Sequence, residues 1–394
     1  MRQLILTSFL FISLGASSKL KQTTYWDVDK KIIKEVFFYK LLKDDTIKHG
    51  HYQLFYESGV LWQEGEYKNN LLEGRWIDNH PNGSRKQDLF FTKNLLEGEV
   101  RTYYETGQLF QISNFKGDIL NDQLTIYHPN GELMEVNHYQ NGVLNGKAQG
   151  YYLDGTLRYV THFINGYENG KSERYYENGN IQESATKVRG QYNGDFLAYH
   201  KEHASVVQKK CFYVKGLLEG EFIGYYPSGN VMNHCVYKKN QIEGIYSEYF
   251  DLSTEQIYTT GLYLNGQKTG IWKTFYPTGE LYYEGEYLND KKKGQWTVFY
   301  PSGRKKQVGS YVSGWEEEHW QFYADIDEVF VMSGDYKNGL REGNWKFYYP
   351  SGNVKVKLLY KDGLREGWGY AYSEQGEEVE RVFYKNDTPS IPIE

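Results

Sequence analysis

Four groups of residues in this chain are of types that could do chemistry. Glu316, Glu317 and Glu318 stand shortly before Asp325, Asp327 and Glu328. Such a run could hold a calcium ion if a tight loop turned several oxygens inward. His80, His128 and His200 offer imidazoles that bind zinc or carry protons in other proteins. Lys291, Lys292 and Lys293, then Arg304, Lys305 and Lys306, could meet an anion. Cys211 and Cys235 could form a disulfide or stay as thiols. None of these groups sits in a committing motif. The chain has no Gly-x-Ser-x-Gly, no His-Glu-x-x-His and no Gly-Lys-Ser/Thr phosphate loop. No carboxylate pair stands out for glycoside cleavage. A lone glycine such as Gly65, beside Glu66, is uninformative. No catalytic residue, metal ligand or cofactor site is expected, and the chain reads as not an enzyme.

What must position these residues is a repeat. The chain has 394 residues with 39 Tyr and 41 Gly against 8 Pro, a composition suited to pleated strands and tight turns. Counting from Gly50, the same grammar restarts at Gly74, Gly98, Asp122, Gly146, Gly170, Gly194, Gly220, Gly244, Gly270, Gly294, Glu318, Gly343 and Gly367. The step is 24 residues, except 26 after Gly194 and Gly244 and 25 after Glu318, which makes 14 repeats over residues 50–387. Position three is often aromatic (Tyr52, Trp76, Trp272, Trp296, Trp345) and position six nearly always so (Phe55, Tyr103, Phe275, Tyr348). Position ten is Gly, position twelve aliphatic and position eighteen Tyr or Phe.

These spacings describe hairpins. In "YPSG" the Pro suits the second place of a type I turn and the Gly closes the hairpin with a bulge. A turn there sets position six opposite position twelve, so Phe275 should face Leu281 and Tyr348 should face Val354. Positions six and twelve then share one face, with positions three and seven on the other. A second turn, in "NGLREG" and "DGLREG", returns the chain to the next hairpin. The fold class is all-β: an elongated single-layer antiparallel meander of stacked hairpins.

The stretch "EGNWKFYYPSGNVKVKLLYKDGLREG" (Glu342–Gly367) resembles the bacterial variant of the MORN repeat, membrane occupation and recognition nexus. The shared pattern is Gly-x-Trp-x-x-Tyr-Tyr-x-x-Gly-x-Leu followed by Tyr-x-x-Gly. The resemblance implies stacked β-hairpins and brings no catalytic residues. It also implies an antitoxin-like or immunity-like repeat protein, or a scaffold with lipid contacts.

The repeat assigns the four groups. The three histidines occupy position seven, where Tyr is usual, and are structural. The carboxylates and basic residues read as solvated turn charges, with the two basic groups at opposite ends of a hairpin. Equivalent positions in neighbouring hairpins lie two strands apart, roughly 9.6 Å, beyond disulfide reach. Cys211 and Cys235 should therefore be unpaired thiols on one face. Repeats departing from the pattern at Asp122, His203, Gly244 and Glu318 should have irregular hairpin tips.

Outside the array, Arg2 and the apolar run Leu4–Ala16 read as a signal peptide over residues 1–17. Residues 18–49 read as a degenerate capping repeat and 388–394 as a tail. The array ends should be blunted, by Glu377, Glu378, Glu380 and Arg381, with Pro389 and Pro392 beyond, at one end and by the segment from Trp26 at the other. The exported chain, periplasmic, envelope-bound or secreted, would have no transmembrane span. A formal net charge of -6 disfavours nucleic acid. A protein partner is expected, or else peripheral contact with envelope lipid or glycan.

Overall fold

The computed structural model describes residues 19–43, 45–203, 205–252, 255–326 and 329–390. The signal-peptide segment, Asp327, Glu328 and the last four residues lie outside them. Every regular element among the described residues is a β-strand, 35 in all, and each strand pairing is antiparallel. The chain divides into two compact halves at Gly179/Asn180. In the first, strands run from Leu20–Tyr25 to Gly170–Tyr175; in the second, from Ile181–Val188 to Thr388–Pro389. Within each half, strands pair with their neighbours in sequence, so each is a meander.

Hairpin register follows the expectation. Phe275 lies opposite Leu281 and Tyr348 opposite Val354, each beside a one-residue bulge. At the tip of the Gly270 repeat, Gly279 N–H donates to Tyr276 O at 2.9 Å and Tyr276 N–H to Glu280 O at 2.8 Å. The return turn is a two-residue loop. Lys337 pairs with Leu340, and Asn338 and Gly339 both have positive φ, 52° and 78°. Those values mark a type I′ turn, whose twist matches its strands.

The length irregularities fall in the tips. The closing bond spans four residues in Tyr226→Asn230 but six in His200→Val206 and Phe250→Gln256, and five in Ala324→Val329. These excesses match the 26-, 26- and 25-residue steps. Asp122 is different. Its repeat keeps a regular tip, His128→Glu132, because the opening position belongs to the other end of the hairpin. There the chain makes a wide bulge: Glu286 pairs with Lys293 and Gly285 with Trp296, leaving Gly294 and Gln295 extra. Gly294 has φ 63°, and Asp122 (72°) and Glu318 (59°) adopt the same left-handed backbone without being Gly.

The two faces differ. Tyr323 and Phe330, at positions six and twelve, stack 5.0 Å apart, and Phe330 lies 5.7 Å from Tyr348. The third position points to the other face, with positions sixteen and eighteen. That face holds the core. Trp76, Trp272, Trp296, Trp320 and Trp345 are at most 3% exposed. In the second half, Trp296 packs edge-on against Tyr287 at 5.1 Å and Tyr311 at 5.8 Å, and Tyr311 against Trp320 at 5.2 Å. A single layer buries indoles this deeply because each ring is walled by rings of its own repeat and of the one before.

Burial pushes the phenols of Tyr52, Tyr246 and Tyr311 well above their ordinary value of 10.0, with Glu35, Glu248 and Glu316 adding to the shift. A raised folded value means the fold favours the protonated phenol. That stability is fully present below pH 10 and is lost as pH rises from there toward the raised values. In an alkaline titration, tyrosinate absorbance should therefore lag behind that of urea-unfolded chain and rise together with loss of the β signal. Superimposable titrations of the two forms would contradict this.

Candidate binding surface

The residues singled out for chemistry are mostly consumed by bonds between repeats. At position seven, Tyr56, Tyr104, Tyr226, Tyr276, Tyr300 and Tyr349 each donate a hydroxyl to a carbonyl 23 residues on, at 2.8–3.0 Å. His80 and His200 replace them in kind, with Nε2 3.3 Å from Tyr103 O and 3.0 Å from Tyr225 O. His128 Nε2 is buried with no hydrogen-bond partner.

The carboxylates are used in the same way. Just before seven of the 14 opening residues stands a Glu that accepts the backbone N–H of the next return turn. Glu219 takes Lys239, Glu317 takes Asn338 and Glu342 takes Asp362, at 2.8–2.9 Å. Glu316 accepts the Tyr311 hydroxyl at 3.2 Å. Asp325 accepts the Ser302 hydroxyl and lies 3.5 Å from Arg304. Among the described residues no group of three His, Cys, Asp or Glu could hold a metal ion.

One basic group departs from the expectation. Lys292 is not a solvated turn charge: its Nζ sits 4.5 Å from the Trp296 ring and 4.6 Å from Tyr311. Burial lowers its pKa, and Glu316 opposes the shift. The same place, two residues before a repeat opens, puts Lys268 4.1 Å over Trp272 and Arg341 4.3 Å over Trp345. Lys and Arg here lid the core face, their stems covering ring edges. Lys293 pairs with Glu286 at 3.5 Å. The second basic group lies at the far end of the hairpin, where Lys305 faces Phe299.

Cys211 and Cys235 are both buried free thiols, and Phe222 lies directly opposite each. Burial pushes the Cys235 thiol up to about 11 and also raises that of Cys211. Neutral buried thiols are poor nucleophiles. The native chain should resist iodoacetamide near neutral pH and take two labels once unfolded; rapid native labelling would show the sheet open there.

The sequence reading passed over position sixteen. Gly65, Gly261, Gly285, Gly309 and Gly334 each lie beneath the tryptophan eleven residues on, where an added Cβ would fall 2.0–2.3 Å from the indole. Elsewhere the pair changes in concert: Ala185 with Phe196, Cys211 with Phe222, Asn137 with Ala148. At Leu358 the order reverses, its side chain filling the space above Gly369. Small faces large at these seats, whereas near the start of the array Phe37 faces Tyr52. The signal was present as a Gly two residues before the position-eighteen aromatic.

What remains open is the opposite face. Five of six successive strands of the second half carry exposed apolar side chains there: Phe212, Val236, Ile245, Leu262 and Ile271. Ile245 lies directly opposite Leu262. Near the return turns, a groove of about 620 Å³ opens between Leu288, Lys291, Lys293, Ser310 and Val312. No helix among the described residues is long and apolar enough to cross a membrane.

The model of the MORN repeat variant matches residues 48–69, 96–116, 123–141, 144–165, 168–186, 218–239, 268–289 and 341–362. No curated protein matches. Similar solved structures include the crystal structure of TcdB2-TccC3-Cdc42, 9% identical over 94% of this chain and 26% of that one, with a TM-score of 0.15. Another is the Photorhabdus luminescens Tc holotoxin pore, 12% identical over 93% of this chain and 20% of that one, with a TM-score of 0.16. The chain spans about a quarter or less of their length, and TM-scores this low carry no structural argument. Seven of the eight matched segments begin two residues before a repeat-opening position. Hairpin period and matched segments coincide: this is a MORN-repeat protein.

Proposed function

We propose that this chain is an exported, non-catalytic scaffold that binds another protein through the face opposite its tryptophan row. The observation that carries the reading is the exposed apolar row from Phe212 to Ile271. Ile245 and Leu262 pair directly while Phe212, Val236 and Ile271 each face a carboxylate, the mixture of apolar centre and polar rim that binding surfaces carry. Core packing cannot account for it, because the core occupies the other face. Export rests on the charged, apolar, small-residue order of residues 1–17. An antitoxin-like or immunity-like role is the special case in which the partner is a toxin, and it rests on the resemblance alone.

A second reading, contact with envelope lipid or glycan, draws on Tyr167 and Trp315, each 60% exposed beside a return turn. Such rings suit headgroups and sugar faces. Capture experiments with native-host envelope protein, liposomes and polysaccharide separate the two. On the first reading, a specific protein is retained by the wild type and lost with Ile245→Lys and Leu262→Lys, while Trp315→Ala is silent. Retention of liposomes or polysaccharide that depends on Trp315, with no protein sensitive to Ile245, would reverse the order.

A further inference from the structure

The two ends of the array are complementary halves of one repeat junction. Strand Leu20–Tyr25 pairs with Ile33–Leu42 in the register of a complete repeat. Leu20 faces Tyr39 and Tyr25 faces Ile33, with the bulge after Thr24. In the Gly50 repeat, Gly50 faces Tyr67 and Phe55 faces Leu61, with the bulge after Leu54. Leu20–Tyr25 is therefore a first strand, positions one to six, and among the described residues nothing pairs with its outer edge.

At the other end, strand Glu378–Lys385 is a second strand, paired with Gly367–Tyr372 on its inner side. Outside it, Thr388 and Pro389 pair with Lys385 and Tyr384, and Ser390 N–H donates to Phe383 O at 2.8 Å. Within the array the same bond, Glu366 N–H to Leu359 O at 2.9 Å, directly precedes a first strand. Ser390 thus stands where a first strand should begin, and no described residue pairs with the outer edge of Glu378–Val382. Leu20, Lys21 and Gln22 are exposed, as are Glu378 to Arg381.

Charge favours the match. Residues 19–34 carry five Lys against Asp27 and Asp29, a balance of +3; residues 373–381 carry four Glu against Arg381, a balance of -3. The charges expected to blunt these ends leave both outer edges uncovered, so each stays a template for another strand, and their opposite signs steer two such edges together. We propose that a second copy of this chain docks its Leu20–Tyr25 strand along Glu378–Val382, continuing the meander from one molecule into the next. The interior register Gly285↔Trp296 and Glu284↔Thr297 then sets Val382 opposite Gln22 and Arg381 opposite Thr23. Because the two surfaces differ, the association is head-to-tail and gives open rows or rings.

Cysteine pairing tests both edge and register. Residues facing each other across strands are within disulfide reach, and the native thiols are buried. Full-length chain bearing both Gln22→Cys and Val382→Cys, mildly oxidised, should give a ladder of cross-linked species on non-reducing gels. Mixed single variants should stop at dimers, and each single variant alone should stay monomeric. Wild-type association measured by sedimentation should weaken at least about tenfold with Lys30→Glu plus Lys31→Glu, or in high salt. Partnering that variant with Glu377→Lys plus Glu378→Lys should restore mixed dimers. Cross-linking by either single variant alone, no ladder from the double, or a monomer at every concentration would each overturn the proposal.

Discussion

Replacing Gly285 with Ala should destabilise the surrounding repeats by about 3 kcal/mol, a large effect for one methyl group. The added Cβ would fall 2.1 Å from the Trp296 indole. The ring has nowhere to go: Tyr283 and Tyr311 lie 5.8 Å away, Tyr287 5.1 Å and Lys292 4.5 Å. Its Nε1 is tied to Glu286 O at 3.1 Å. The chain also supplies the compensating change, since Ala185 sits with Phe196 and both are buried. Gly285→Ala combined with Trp296→Phe should thus be more stable than the two single losses predict, by at least about 1 kcal/mol. Urea melts of the four proteins measure this coupling. Strict additivity would mean that the Gly–Trp seat is a coincidence of geometry rather than a packing constraint.

Trp345→Ala should cost about 4 kcal/mol, the upper part of the range for truncating a buried aromatic. Trp345 is 0% exposed. It contacts Tyr336 at 5.0 Å, with Phe322 and Tyr360 each at 6.2 Å. It also holds the Arg341 guanidinium at 4.3 Å and a hydrogen bond to Asp335 O at 3.1 Å. Truncation removes a ring shared by two repeats, so a cavity and a broken repeat interface arise together. In a stack where each repeat leans on its neighbours the damage stays local. Hydrogen exchange should therefore accelerate first in strands Phe330–Lys337, Leu340–Tyr348 and Val354–Lys361 and leave the first half unchanged. Uniform acceleration along the chain would show a globally cooperative fold instead.

The sequence reading erred where side chains meet across repeats. Lys292 read as a turn charge because it stands next to turn residues, and a local pattern cannot reveal a ring lying 4.5 Å beneath a basic head. Asp122 was linked to a tip it does not form, since a bulge and a turn both ask for positive φ and look alike in sequence. The histidine reading held at His80 and His200, because a substitution at a fixed repeat position inherits that position's hydrogen bond.

The amino-acid order by itself determined the period, the places of the two turns, the facing of positions six and twelve, and the long steps whose tips are enlarged. All are local, set by φ preferences and by the two-residue alternation of a strand. Tertiary structure alone decided which small residue seats which tryptophan and which base covers it. Those partners come from adjoining repeats and are aligned by a two-residue slip at the wide bulge. The opening Gly marks that slip in the sequence, but a Gly does not say whether it serves a turn or a bulge.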